Sequence, residues 1–109
     1  MNPTAAKILK TIHTTIINEI TNKYDAELCA YLPIPDCYKK TFIVSNRGEK
    51  MRIKFSPHVD YSEITILNHH REVLETIDID HDKPVPQDRI RNLIMSHWGK
   101  LIASEDTLA

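Results

Sequence analysis

The stretch Lys39–Pro57, KKTFIVSNRGEKMRIKFSP, constrains the fold most, because its side chains allow few ways of pairing it with itself. Two runs of β-branched and aromatic residues flank Ser45-Asn46-Arg47-Gly48-Glu49, which holds the only glycine before the last helical stretch. Glycine takes the positive φ that a tight connection needs, so the stretch reads as a β-hairpin. Its second run alternates, with Met51, Ile53 and Phe55 on one side and Lys50, Arg52 and Lys54 on the other. A three-residue loop over Asn46-Arg47-Gly48 would pair Ser45 with Glu49 and set Phe42 and Val44 beside Lys50 and Arg52. A two-residue Arg47-Gly48 loop, or a four-residue one, pairs Ser45 with Lys50 and gathers Phe42, Val44, Met51, Ile53 and Phe55 on one face. A slip of one residue turns every side chain to the opposite face, so the Ser45–Lys50 register is expected.

Helical spacing governs residues 3–23, where Ile8, Leu9, Ile12, Ile16, Ile17, Ile20 and Tyr24 recur every three to four positions. Asn2 or Thr4 can cap this helix, and Pro3 is tolerated in its first turn. The central TIHTTII is poor in helix formers, so the helix depends on packing. Ala26–Leu32 reads as a short strand with Leu28, Ala30 and Leu32 on one face, ended by Pro33 and Pro35. The hairpin strands Tyr38–Ser45 and Lys50–Ser56 follow. Tyr61–Leu67 is a fourth strand with Ile64 and Ile66 inward, and Val73–Asp80 a fifth with Val73, Ile77 and Ile79 on one face. Gln87–Ala103 closes the chain as a helix whose stripe is Ile90, Leu93, Ile94, Trp98, Leu101 and Ile102, leaving 104–109 as a frayed tail.

The expected order is α-β-β-β-β-β-α. Short links between consecutive strands give an antiparallel meander, and two helices with one apolar stripe each are buried together on one face of it. The expected fold is therefore an α+β two-layer sandwich, one domain over residues 1–109. Its other face would carry Thr41, Ile43, Lys50, Arg52 and Lys54 to solvent.

Composition narrows the function mainly by exclusion. With Gly48 and Gly99 as the only glycines, no GxGxxG or GxxxxGK phosphate loop exists, and GxSxG, CxxC and HExxH are absent as well. No apolar run is long enough to span a bilayer, and MNPTAAKILK lacks the apolar core of a signal peptide. Cys29 and Cys37 are too few for a disulfide framework, which points to a reduced, cytoplasmic protein. The formal charge of −1 gives no global attraction to nucleic acid, so any such contact must come from a local patch.

Three constellations remain. Arg47, Lys50, Arg52 and Lys54, with Lys39 and Lys40 nearby, form a basic stripe beside Ile43. Such a stripe can meet phosphates, but it lacks aromatic residues for base stacking, and a solvated face that guards against edge aggregation uses the same residues. Asp78-x-Asp80-x-Asp82 resembles the opening of a calcium loop, yet Lys83 stands where glycine is needed and Arg89 where glutamate is needed. Asp80 and His81 with His69 or His70 lack the ligand spacing of structural metal sites, and an acidic strand end leading into a helix accounts for them. His13, His58 and His97 are scattered, and no local motif makes Cys29 or Cys37 a nucleophile.

The expected function is that of a small non-enzymatic, cytosolic protein acting through protein–protein contacts, of the adaptor, inhibitor, immunity or phage-encoded regulator type. Its contact residues would be Lys39, Ile43, Arg47, Lys50, Arg52 and Lys54, its partner an acidic protein or a second copy of itself. No cofactor, bound metal or membrane partner is expected. Nucleic-acid binding through the same basic face is the alternative, and a metal-dependent enzyme the remote one.

Overall fold

The computed structural model describes residues 2–24, 26–34, 37–46 and 48–108, with the side chains of 29–38 and 104–108 outside that description. The hairpin takes the register its inner face requires. Strand β2 (Cys37–Asn46) pairs with β3 (Glu49–Pro57) so that Ser45 lies opposite Lys50, Val44 opposite Met51 and Phe42 opposite Ile53. Gly48 sits at φ +86°, the left-handed region that a side chain disfavours. On the far side of β3, strand β4 (Tyr61–Leu67) continues the same face, with Ile66 opposite Ile53 and Ile64 opposite Phe55. Strands β1 (Glu27–Ile34) and β5 (Val73–Asp80) complete a five-stranded antiparallel sheet in the order β1-β2-β3-β4-β5.

Helix α1 (Pro3–Thr15) starts where Asn2 Oδ1 accepts from the amides of Thr4 and Ala5, so Asn2 and not Thr4 is the cap. The expected helix over 3–23 is not α-helical to its end: Ile16–Thr21 is a π-helix. The cause is the spacing Ile8, Ile12, Ile16, Ile20. Four residues overshoot a turn of 3.6 by about 40°, so a straight α-helix would swing the stripe off the sheet. The wider π turn, closed by Asn22 N–H to Ile17 O at 3.2 Å, brings it back, and all four isoleucines are fully buried. Tyr24 falls outside the helix and packs edge-on against Trp98, ring centroids 6.0 Å apart.

Helix α2 (Gln87–Leu108) runs past the expected Ala103, so the stretch anticipated as a frayed tail is helical through Leu108. Ile90, Leu93, Ile94 and Trp98 join the α1 isoleucines over Phe42, Val44, Met51, Ile53, Phe55, Ile64 and Ile66 in one buried core. Both helices thus cover one face, the α+β layout expected. Glu19 at the end of the first helical segment accepts from Arg91 of α2 at 3.2 Å and from Lys23 at 2.8 Å.

Both edge strands depart from strict alternation. In β1 the register shifts between Leu28 and Ala30: Leu28 pairs with Val44, but Ala30 pairs with Ile43 and Leu32 with Thr41. The backbone register is therefore not continuous from Leu28 to Leu32, and the expected shared face of Leu28, Ala30 and Leu32 involves side chains outside the described residues. Nor does Pro33 end the strand, which runs to Ile34 with Pro33 opposite Lys40; an edge strand tolerates the missing N–H. Cys37 lies opposite Ile34 and not Cys29. In β5 a shift between Ile66 and Leu67 sets Val73 opposite Leu67, and Val73 is 62% exposed rather than inward. Glu75 takes the place opposite Ile66 on the helix side. A register shift breaks the alternation beyond it, which in β5 leaves Val73 outward and Glu75 on the helix side.

The two glycines should respond oppositely to alanine. Neither Cβ would meet an atom within 4 Å, so backbone conformation alone decides. Gly48→Ala should cost about 1–2 kcal/mol for left-handed backbone, and Gly99→Ala, in the helix interior, should gain about 0.5–1 kcal/mol. Urea unfolding of both variants checks the pair of signs.

Candidate docking surface

The sheet face turned away from the helices is left uncovered by both of them. Its composition follows from register. On β3, Lys50 stands opposite Ser45, Arg52 opposite Ile43 and Lys54 opposite Thr41, with Lys39 two residues before Thr41 on β2. Lys39 and Lys54 are exposed, while Lys50, Arg52 and Ile43 are half-buried. Of the expected contact residues, these five share the face, and Arg47 lies outside the described residues.

Arg52 is less free than the others. Its guanidinium donates to the carbonyls of His69 at 3.2 Å and Asn68 at 3.4 Å, which ties it to the β4–β5 turn. Asn68 Oδ1 in turn accepts from the amides of His70 and Glu72, and Arg71 sits at φ 65°. Arg52 also lies directly across from Leu67, whose exposure is only 9% although no helix covers it. An arginine stem lying over an apolar neighbour produces this combination.

The other half of the face is acidic. Glu63 lies opposite Ser56 on β3 and opposite Asp78 on β5, and Asp80 lies opposite Tyr61. Sequence reading singled out the cations and missed Glu63, because its value depends on β4 lying beside β3. The face is thus divided along the β3–β4 boundary. Among the described residues, Lys39, Lys50, Arg52 and Lys54 with the edge residue Glu27 stand on one side, and Glu63, Asp78 and Asp80 on the other. Directly opposed like charges such as Glu63 and Asp78 are destabilising in a sheet.

Other chemistry-bearing groups are committed elsewhere. The Ser62 hydroxyl lies 2.7 Å from His81 Nε2, and His81 Nδ1 lies 3.3 Å from the Val59 carbonyl. A carbonyl only accepts, so Nδ1 carries the proton, and in the neutral ring Nε2 accepts from Ser62. That is the order of a nucleophile, a base and its orienting group, but Ser62 has no exposed surface for a substrate to reach. The pair fastens β4 to the chain leaving β5. It also engages both nitrogens of a ring that the sequence offers as a metal ligand. Asp80 Oδ1 accepts from the Asp82 amide at 2.8 Å, and among the described residues no three His, Cys, Asp or Glu side chains are grouped to hold a metal ion.

His97 Nε2 meets Glu75 Oε1 at 2.8 Å between α2 and β5, a contact that exists because the β5 bulge turns Glu75 toward the helix. A groove of about 550 Å³ between the helices is lined by Lys7, Lys10, Thr11, Thr14, Gln87 and Arg91. Its Thr11 hydroxyl donates to the Lys7 carbonyl, and Arg91 is held by Glu19. Trp98, buried in the core, finds no acceptor for its indole N–H among the described residues. Among those residues no helix is long and apolar enough to cross a membrane.

The chain matches no family model, no curated protein and no solved structure.

Two substitutions probe these assignments. Ser62→Ala removes a buried donor and leaves His81 Nε2 without its partner, and should cost about 1–3 kcal/mol in urea unfolding. Glu19 is held below the ordinary carboxylate range by its hydrogen bonds to Lys23 and Arg91 and by their charges. A depressed folded pKa adds stability above the unfolded value that is lost as the pH falls through the folded one. Glu19→Gln should therefore lower the Tm at pH 7, and the gap to the unsubstituted protein should begin to narrow near the ordinary glutamate value of about 4 and vanish only at lower pH, below the folded value.

Proposed function

We propose that this chain is a small non-enzymatic cytosolic protein that works by docking another protein on the open face of its sheet. One observation carries the reading: the face opposite the helices is divided into a cationic half on β2–β3 and an anionic half on β4–β5. Complementary potentials of this kind favour a defined orientation and exclude wrong partners. Lys39, Lys50 and Lys54 supply the cationic contacts, Ile43 an apolar one at the edge of Arg52, and Arg52 shapes the surface while it holds the β4–β5 turn. The enclosed position of Ser62 beside His81 supports the non-enzymatic part of the reading.

Nucleic acid fits the same face less well. A phosphate backbone crossing the sheet from Lys54 would meet Glu63 and Asp78 on the next two strands. The exposed Tyr61 stands at the acidic end, stacked on His58 with ring centroids 4.6 Å apart. Non-specific binding to phosphates gains from each cation and falls steeply with salt.

The test is a pull-down from the cells that make the protein, run beside a binding assay with mixed DNA and RNA at two salt concentrations. Unsubstituted protein should recover a stoichiometric protein partner, Lys50→Glu/Lys54→Glu should lose at least about tenfold in affinity for it, and nucleic acid should not be retained. Recovery of no protein partner, or salt-sensitive nucleic-acid binding that the double substitution abolishes, would overturn the proposal.

A further inference from the structure

We infer that the free edge of β5 takes an added strand, an extended segment of a partner protein with lysine or arginine at alternate positions and apolar residues between them. The contact lies on the edge and not on the cationic half of the open face, so it stands without the docking reading. Three observations carry it: the direction of the backbone groups on β5, the sign of the charge beside them, and a groove on the helix side.

The backbone comes first. Strand β5 is the last strand of the sheet, and among the described residues no strand lies beyond it. His81 N–H donates to the Asp60 carbonyl at 2.9 Å, one residue outside the Tyr61–Asp80 pair. A bond in that place marks Tyr61–Asp80 as a pair without bonds of its own, and the two kinds of pair alternate along an antiparallel ladder. Ser62–Ile79 and Ile64–Ile77 therefore exchange the bonds with β4, while the amides and carbonyls of Thr76, Asp78 and Asp80 point to the free edge. All three residues are exposed. An extended segment satisfies such a row of donors and acceptors by pairing with it.

Charge selects the segment. Strand β5 carries Glu75, Asp78 and Asp80 and no cation. Asp78 and Asp80 share the open face with Thr76, and Glu63 lies directly across from Asp78 on β4. Charged side chains on an edge guard it against pairing, and a guard of one sign is selective. A second β5, or any acidic strand, sets carboxylates beside carboxylates. Lysine or arginine at alternate positions meets Asp78 and Asp80 as opposite charge and relieves the repulsion between Asp78 and Glu63.

The helix side of the same edge is recessed. A groove of about 330 Å³ lies between β5 and α2, lined by Glu75, Ile77, Arg89, Asn92, Leu93 and Ser96. Ile77 and Leu93 are 8% and 7% exposed, so they form its floor and the polar side chains its rim. Successive side chains of an added strand point to opposite faces. With its cations on the open face, the segment turns the residues between them to this groove, and the apolar floor suits apolar ones. The rim holds Glu75 and Arg89, one of each sign, and adds no preference for charge.

A capped peptide of about seven residues, within the usual length of a strand, alternating lysine with valine, tests this on the purified full chain by isothermal titration. It should bind saturably, and a glutamate–valine peptide of the same length should not. In antiparallel pairing the lysine amides face β5 and the valine amides face water. N-methylation of the lysine amides should therefore weaken binding at least about tenfold, and N-methylation of the valine amides should leave it within about twofold. The two methylated peptides carry the same charge, so the difference reports backbone pairing. Hydrogen exchange of the Thr76 and Asp78 amides should slow at least about tenfold in the complex, and Asp78→Lys should weaken binding about fivefold or more. No saturable binding, equal binding of the glutamate peptide, or an affinity unmoved by Asp78→Lys overturns the inference. So does equal weakening by both methylations, or exchange of Thr76 and Asp78 that the peptide leaves unchanged, since either means attraction to the face without an added strand. The methylated pair needs no protein variant, so the outcome holds even where Asp78→Lys fails to fold. Lys50 and Lys54 lie two strands away from β5, so the pull-down that tests the docking reading succeeds or fails separately.

Discussion

Everything in this fold depends on the match between the inner faces of β2 and β3. Phe42 and Val44 are fixed opposite Ile53 and Met51, and β4 extends that face with Ile64 and Ile66. A slip of one residue would send Met51, Ile53 and Phe55 to water. Burial of such a side chain stabilises by about 1.5–3 kcal/mol. Three of them approach the whole 5–15 kcal/mol or so by which a domain of this size stays folded. No alternative pairing of the hairpin competes, and the two helices have a single apolar face to cover. Gly48 makes the tight turn available, but the side chains choose it.

The central strands were legible in the sequence because their alternation is unbroken. The edge strands were legible as strands, β5 with its bounds Val73–Asp80, but the facing of Val73 was not, for a physical reason. Counting by twos assumes a continuous pleat, and two register shifts in β1 and one in β5 break it. Edge strands tolerate bulges because only one neighbour has to follow the change. The adjacent apolar pair Val73 and Leu74 was a signal of trouble, since neighbours on a regular strand face opposite sides; both are exposed. The cost of the bulge is two apolar side chains in water, and Glu75 gains His97 as a partner in exchange. The four-residue isoleucine spacing of the first helix carried a similar signal. Taken with 3.6 residues per turn, it requires either a turning stripe or a widened helix, and the chain widens.

The outer face was legible only in part. Lys50, Arg52 and Lys54 announce themselves within one strand, whereas Glu63 and Asp78 acquire meaning from the strand order. Ser62 and His81 are 19 positions apart, and nothing in local spacing brings them together; the β4–β5 pairing does. His81 could be weighed from sequence as a ligand beside Asp80. In the fold its ring is occupied on both sides, and the aspartate closes its own turn.

Segregated charge has a cost that a merely solvated face avoids. Opposite signs placed across from each other stabilise a sheet, and like signs weaken it by about 0.2–1 kcal/mol per pair. Glu63 and Asp78 face each other, while the nearest cations stay on β3, and Lys54 has Thr41 and Thr65 as its direct cross-strand neighbours. Exchanging Thr65 for an acid, or Asp78 for a lysine, would pair charges within the sheet and relieve the repulsion. The chain instead keeps these cations and carboxylates on separate strands, and Arg52 and Asp80 commit their hydrogen bonds to the turns beside them. Opposite charges held on separate strands are not paired directly across the β3–β4 boundary of the sheet.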